Sequence, residues 1–130
     1  KENHLAWSEN LESAVVAIRR SAPWPARVIV EAETFTQAED AVNAGADGVL
    51  LDEFSLSELQ TMIPLLREFA QSRVKEGGPG IIVIEASGVE IMDLKAYAKT
   101  GVDLISTSAP ITKSSWLDFS MRFEPSGLVK

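Results

Sequence analysis

Short, nearly continuous apolar runs are the feature that most limits what this chain can fold into. Four of them occur, each five or six residues long and rich in β-branched side chains, at 27–32, 48–52, 81–86 and 102–106. Runs of this length and composition are typical of strands buried on both faces of a parallel sheet. Because parallel strands need long crossover connections, the segments between the runs are expected to form helices.

Those segments carry helix signals. Thr34 with Gln37, and Ser55 with Glu58, have the capping-box spacing that begins a helix. Pro64 lacks a backbone N–H, so the helix that contains it is expected to kink or restart there. The expected helices are 8–20, 34–44, 55–73 and 91–99, with a short closing helix or strand at 116–123.

A repeated joint between helix and strand favours a barrel over an open doubly wound sheet. Gly45 and Asp47 precede the second strand, and Gly101 and Asp103 stand in the same relation to the fourth strand, 56 positions later. Two β/α units of under about 30 residues each fit this offset, and similar joints imply similar geometry. We therefore predict an α/β fold, a partial β/α (TIM-like) barrel with parallel strands and covering helices. Lys1 is expected to end a barrel element that begins before this chain.

Composition excludes several classes of protein. The 12 cationic and 19 acidic residues give a net charge of −7, which argues against binding to nucleic acid or to an anionic membrane surface. There is no cysteine, so disulfides, thiolate nucleophiles and cysteine-based zinc sites are excluded. No apolar run is long enough for a signal peptide or a membrane span, and we expect a cytoplasmic protein.

Polar residues end each apolar run, where a parallel β/α fold places its active site. The four ends read Glu31 with Glu33, Asp52 with Glu53, Glu85 with Ser87 and Gly88, and Ser106 with Thr107 and Ser108. Acidic ends followed by hydroxyl-rich ends suggest a split site, in which carboxylates bind Mg²⁺ or sugar hydroxyls and the later loops bind a phosphate. The plainer alternatives are carboxylates that solvate loops, a simple turn before a helix, and a solvated terminal lysine.

Several motifs, in order and in register over nearly the whole chain, resemble the quinolinate phosphoribosyltransferases. They are Lys1-Glu2-Asn3-His4, Val28-Ile29-Val30-Glu31-Ala32-Glu33, Gly45-Ala46-Asp47 through Leu51-Asp52, Glu85-Ala86-Ser87-Gly88, Tyr97 through Asp103, and Leu117-Asp118-Phe119-Ser120. The resemblance implies that residues 1–130 are the C-terminal part of a β/α-barrel phosphoribosyltransferase domain, with an N-terminal domain and the first barrel strands absent.

The activity that this resemblance implies is Mg²⁺-dependent transfer of phosphoribose from phosphoribosyl pyrophosphate (PRPP) to the nitrogen of quinolinate. Pyrophosphate and CO₂ are released, and nicotinate mononucleotide is formed for NAD biosynthesis. The full-length enzyme is expected to be a homodimer, and this chain alone is expected to be inactive. By the same resemblance the catalytic residues are Lys1, Glu31 and Asp52, with Glu31 and Asp52 also binding Mg²⁺, and the 5′-phosphate is bound by Ser87, Gly88, Thr107 and Ser108.

The chain departs from the family pattern at three places. Ser87-Gly88-Val89 stands where Ser-Gly-Gly is usual, Asp52-Glu53 stands for Asp-Asn, and the stretch from Thr107 to Thr112 lacks a glycine and a histidine. These departures leave two alternatives. One is a ModD-like paralogue associated with molybdate transport, acting on another phosphoribosyl substrate. The other is a noncatalytic half-barrel used for assembly.

Overall fold

The computed structural model describes residues 1, 4, 10–76 and 80–123. Its strands are β1 (Ile29–Ala32), β2 (Gly48–Asp52), β3 (Val83–Ser87) and β4 (Leu104–Ile105). Its α-helices are α1 (Leu11–Ser21), α2 (Phe35–Asn43), α3 (Leu56–Ser72), α4 (Leu94–Tyr97) and α5 (Ala109–Thr112). Short 3-10 helices occupy Arg73–Glu76, Ile91–Asp93 and Ala98–Thr100. Within these described residues, no helix is long and apolar enough to cross a bilayer.

The four strands form one parallel sheet in the order β1-β2-β3-β4. Each strand therefore lies beside the next one along the chain, as successive strands of a β/α barrel do. The register places Glu31 beside Leu50, Leu50 beside Glu85, and Glu85 beside Leu104. The predicted α/β class, with parallel strands and covering helices, is confirmed.

Burial alternates along the strands. The face under the helices is closed, and its side chains are at most 5% exposed: Val30, Ala32, Val49, Leu51, Ile84 and Ala86. On the opposite face Ile29 is 46% exposed, Val83 38% and Leu104 52%. The prediction that the strands are buried on both faces is therefore wrong for this chain. The helices cover only one face of the sheet, and the described residues place nothing over the other.

The two predicted capping boxes differ in the structure. Ser55 and Glu58 form the reciprocal pair, because the Glu58 carboxylate accepts from the Ser55 amide at 2.8 Å and the Ser55 hydroxyl accepts from the Glu58 amide. At α2 the Thr34 hydroxyl accepts from the Gln37 amide at 3.2 Å, but the Gln37 side chain accepts from the Glu33 amide. Thr34 and Gln37 therefore form only half of a capping box, whereas Ser55 and Glu58 form a complete one. Both helices nevertheless begin where the pattern predicts.

Three details of the predicted helices are wrong. Of the kink or restart predicted at Pro64, the restart is wrong, because helix α3 runs uninterrupted from Leu56 to Ser72. The region 91–99 is a short α-helix between two 3-10 turns rather than one helix. Residues 116–123 form neither helix nor strand, and the last helix is α5, with Pro110 in its first turn, where proline needs no N–H partner. The predicted start of the first helix at residue 8 lies outside the described residues, which show α1 from Leu11.

The repeated joint has the geometry that its sequence predicts. The amide of Asp47 donates to the Val28 carbonyl, and the Asp47 carboxylate accepts from the Val28 amide, both at 2.8 Å. Asp103 makes the same two hydrogen bonds with Ile84, again both at 2.8 Å. Each aspartate thus extends the sheet beyond the first residue of a strand, with its side chain substituting for a backbone acceptor.

An arginine from an earlier helix completes each joint. Arg19 of α1 donates to the Gly45 carbonyl, and Arg67 of α3 donates to the Gly101 carbonyl. Both glycines have positive φ, +90° and +95°, which places their carbonyls beyond the helix end without a side-chain clash. Each arginine also forms an ion pair of 3.0 Å with the aspartate of its joint. We call Arg19, Val28, Gly45 and Asp47 the first joint, and Arg67, Ile84, Gly101 and Asp103 the second joint.

Candidate functional site

The C-terminal edge of the sheet carries a row of polar side chains on the face that the helices leave open. Alternation along each strand puts Glu31, Asp52 and Ser87 on this face, opposite the buried side chains. Glu85 lies on it too, because its register partner is Leu50 and that residue's other partner is Glu31. Neighbouring strands are about 4.8 Å apart, so these side chains lie within reach of one small ligand.

Lys1 lies at the edge of this row. Its ammonium Nζ is 2.7 Å from Oε2 of Glu31, and the Glu31 side chain is only 12% exposed while that of Lys1 is 67% exposed. A nearly buried carboxylate needs a partner, and the lysine supplies the charge that compensates it. The structure therefore brings Lys1 to Glu31 at the predicted end of the sheet. His4 is exposed, and its amide donates to the Lys1 carbonyl.

Asp52 and Ser87 are direct register partners at the ends of β2 and β3. A carboxylate and a hydroxyl therefore stand side by side on the open face. Neither the carboxylates of Asp52 and Glu85 nor the Ser87 hydroxyl has a hydrogen-bond or ion-pair partner among the residues that the structure describes. These groups are available to a ligand.

The acidic residues can bind a metal ion only if a substrate and water supply the remaining ligands. The described residues include no group of three or more acidic or histidine side chains that could bind a metal ion. Mg²⁺ commonly uses one or two carboxylates and completes its shell with water and substrate phosphates. Glu31 and Asp52 match that pattern, and Glu31 already has Lys1 as its partner.

The loop after β3 has an open backbone. Gly88 has φ +76°, a conformation that L side chains rarely adopt. Val89 follows in place of the family's second glycine, and its side chain is 3% exposed in the core. The valine side chain therefore packs into the core beneath the loop. It adds no bulk on the side of the loop that is proposed to face a ligand.

The loop after β4 runs beside this one. The Ser106 amide donates to the Ala86 carbonyl at 2.9 Å, which keeps the two chain segments together as they leave the sheet. The Thr107 hydroxyl accepts from the Ala109 amide at 3.2 Å, and it retains its own proton as a donor. Ser108 is exposed, and its side chain does not cap α5.

Glu53 was not singled out as a site residue from the sequence, yet it connects the loops after β2 and β3. It is the non-glycine residue with positive φ in the described chain, at +58°. Its amide donates to the Ser87 carbonyl at 3.4 Å. A Cβ built on Gly88 would lie 3.3 Å from Cγ of Glu53. The replacement of the family's asparagine by glutamate was the one sequence signal that pointed to this position.

The apolar groove between α2 and α3 does not coincide with the polar row. It has a volume of about 550 Å³, and its walls include Phe35, Phe54, Met62 and Leu65. None of the predicted site residues lines it. The chemistry of the polar row, rather than the shape of this groove, therefore marks the candidate site.

Comparisons with known proteins agree with this fold. A parallel sheet covered by helices on one face, with acids and hydroxyls at its C-terminal edge, defines a partial β/α barrel. The family model described as quinolinate phosphoribosyl transferase, C-terminal domain, matches residues 1–122, and the chain belongs to this family.

The relatives are nicotinate-nucleotide pyrophosphorylases. A probable carboxylating one from Synechocystis sp. is 36% identical over 123 residues, covering 94% of this chain and 39% of the relative. The carboxylating one from Rattus norvegicus is 32% identical over 98% of this chain and 40% of the relative. The crystal structure of NadC from Streptococcus pyogenes superposes with a TM-score of 0.65 at 29% identity, covering 93% of this chain and 39% of that one. The chain thus spans about two fifths of the length of these relatives.

Proposed function

We propose that this chain is the C-terminal catalytic part of a longer enzyme that transfers phosphoribose from PRPP to quinolinate. The C1–O bond to pyrophosphate breaks and a bond from C1 to the pyridine nitrogen forms. The bond between the ring and one carboxylate then breaks, CO₂ leaves, and the ring carbon takes up a proton from solvent, giving nicotinate mononucleotide. The observation that carries the proposal is the ion pair of Lys1 with Glu31 on the same open face as Asp52 and Ser87. The names of the relatives support the choice of reaction.

The acidic half of the site binds the reacting ribose. Glu31 and Asp52 accept hydrogen bonds from ribose hydroxyls, which orients C1 towards the acceptor nitrogen. The same two carboxylates would bind Mg²⁺ together with the substrate, and the ion would neutralise charge on the departing pyrophosphate. Lys1 supplies a positive charge to the pyrophosphate or to a quinolinate carboxylate, so charge stabilisation dominates the rate enhancement.

The hydroxyl-rich half binds the 5′-phosphate. Ser87 and Ser108 present hydroxyl donors, Thr107 keeps one, and Gly88 lets the backbone approach the phosphate closely. The residues that bind the phosphate and the carboxylates lie at different positions along the edge of the sheet. PRPP can therefore bind in only one direction. The ribose then lies at the carboxylates of β1 and β2, and the 5′-phosphate lies at the loops after β3 and β4.

The remainder of the enzyme completes the barrel and a homodimer in the cytoplasm. The open face includes the exposed apolar side chains of Ile29, Val83 and Leu104, which a complete barrel would bury. Recognition of quinolinate is assigned to the part outside this chain. The 130-residue chain alone is therefore expected to form no nicotinate mononucleotide.

The test uses the full-length protein. We expect PRPP binding that strengthens with Mg²⁺ in calorimetric titration, and nicotinate mononucleotide formation from quinolinate. Replacement Glu31→Gln should lower kcat/KM by about 100-fold, because it removes a charge that stabilises the transition state. Glu68→Gln is the matched control: Glu68 is exposed on α3, away from the strand ends, and its replacement should leave the rate unchanged.

The outcomes separate the alternatives. PRPP binding without turnover of quinolinate would indicate the paralogue that acts on another phosphoribosyl substrate. No binding of PRPP, with or without Mg²⁺, would indicate a noncatalytic half-barrel and would overturn the proposal.

A further inference from the structure

We propose that the negative charge of Glu53 weakens anion binding at the loop formed by Ser87 and Gly88, which we call the phosphate loop. Glu53 thereby sets the affinity of this site for the 5′-phosphate of its substrate. The inference rests on the proposed function and deepens it, because it assigns a specificity-determining residue to the phosphate half of the site. The residue is absent from the set that the family resemblance supplies.

Contact geometry places Glu53 against the phosphate loop. Its amide donates to the Ser87 carbonyl at 3.4 Å, so the backbone after β2 is tied to the last residue of β3. Its Cγ lies 3.3 Å from the position that a Cβ on Gly88 would occupy. The carboxyl group is bonded to Cγ, so the exposed side chain that contacts the Gly88 position also carries the negative charge.

The charge of Glu53 has no local compensation. The described residues give its carboxylate no hydrogen bond and no ion pair, and the nearest ionised neighbour in sequence, Asp52, has the same sign. An anion entering beside Ser87 and Gly88 therefore meets repulsion that a neutral side chain would not produce. The asparagine that is usual in the family at this position carries no charge.

Backbone conformation explains how the side chain is aimed. Glu53 adopts φ +58°, a left-handed conformation that asparagine and glycine tolerate and that costs other residues free energy. The turn directs the chain back towards Ser87, and the side chain lies beside Gly88. Gly88 itself has φ +76°, and both loops thus depend on left-handed residues at their point of contact.

Two variants of the full-length protein separate charge from conformation. Glu53→Gln removes the charge and keeps the length and backbone preference of the side chain. Glu53→Asn removes the charge and also restores a residue that accepts the left-handed turn. Glu68→Gln, which makes the same charge change at an exposed site on α3, controls for the net charge of the protein.

The experiment is calorimetric titration with PRPP and Mg²⁺, repeated with inorganic phosphate, at low and at moderate ionic strength. We expect Glu53→Gln to tighten the dissociation constant for PRPP about fivefold at low salt, and this gain to shrink as salt is added. KM for PRPP should fall by a similar factor while kcat stays unchanged. Glu53→Asn should show the same gain in affinity together with a higher thermal midpoint.

The results can overturn the inference in two ways. Unchanged or weaker PRPP binding in Glu53→Gln, or an equal gain in Glu68→Gln, would contradict it while leaving the proposed function intact. No PRPP binding by the unaltered protein would remove the proposed function and this inference together.

Discussion

The acidic side chains at the two ends of the sheet differ in the partners that they have within the fold. At the N-terminal edge Asp47 and Asp103 each accept a backbone amide and pair with an arginine. At the C-terminal edge Asp52 and Glu85 have no such partner within the described part of the chain, and Glu31 is paired with Lys1. The N-terminal edge uses carboxylates to stabilise the fold, whereas those at the C-terminal edge are the ones that the proposed function assigns to a ligand, which is the division expected of a β/α barrel.

The sharpest test of this contrast is Asp52→Asn in the full-length protein. In the proposed function the Asp52 carboxylate contacts substrate, so its removal should lower kcat/KM by roughly 100- to 1,000-fold. The free energy of unfolding should change by less than about 0.5 kcal/mol, because no interaction within the described fold is lost. Steady-state kinetics and urea denaturation measure the two quantities. A large loss of unfolding free energy with little loss of kcat/KM would show that the C-terminal edge, like the N-terminal edge, uses its carboxylates to stabilise the fold.

Asp47→Ala should have the inverse effect. It removes a carboxylate that is only 10% exposed, so the Val28 amide loses its acceptor and the Arg19 guanidinium loses its ion-pair partner while keeping the Gly45 carbonyl. We expect the protein to lose about 2 to 4 kcal/mol of unfolding free energy. The kcat of the folded protein should remain within about twofold of the unaltered value, since the first joint lies at the opposite end of the strands from the site. Denaturation and an activity assay on the same preparations provide the measurement.

The smallest expected effect is a pH dependence of the first joint. Burial alone would raise the pKa of Asp47, but the Val28 amide and the Arg19 and Arg27 guanidiniums outweigh it, and the pKa lies below its ordinary value. A depressed pKa contributes stability that is present above the unfolded value of about 3.9 and is lost as the pH falls through the folded value. The gap in unfolding free energy between unaltered protein and Asp47→Ala should therefore narrow as the pH falls from about 5 to 3. A gap that stays constant would show that the carboxylate charge is not what stabilises the joint.

Local patterns in the sequence were enough for the strands and for the repeated joint, because Gly45 and Asp47 carry their own turn and hydrogen-bonding preferences. The arginines of the two joints were missed because they come from earlier helices and meet the aspartates only in the folded chain. The region 116–123 was misread for a related reason. Its apolar residues alternate as in a strand, but a strand needs a neighbour for its backbone hydrogen bonds, and the described residues provide none.

The sequence was enough to place the predicted site residues at the strand ends, where Lys1 contacts Glu31, while their roles stay predictions. The role of Glu53 was not, because a positive φ in a glutamate follows from the path between two loops and not from its own preference. Burial on the open face was also overestimated at Ile29 and Val83, since an apolar run does not reveal which of its two faces the helices cover.

The two joints differ in the number of positions between the arginine and the strand residue of the joint. Nine positions separate Arg19 from Val28, whereas seventeen separate Arg67 from Ile84, yet each guanidinium contacts the glycine carbonyl and the aspartate carboxylate of its own joint. The contact therefore tolerates an insertion of eight residues between the helix and the strand that it secures. We therefore expect a label inserted in the connection between α3 and β3 to leave the second joint intact, at the end of the sheet opposite the candidate site.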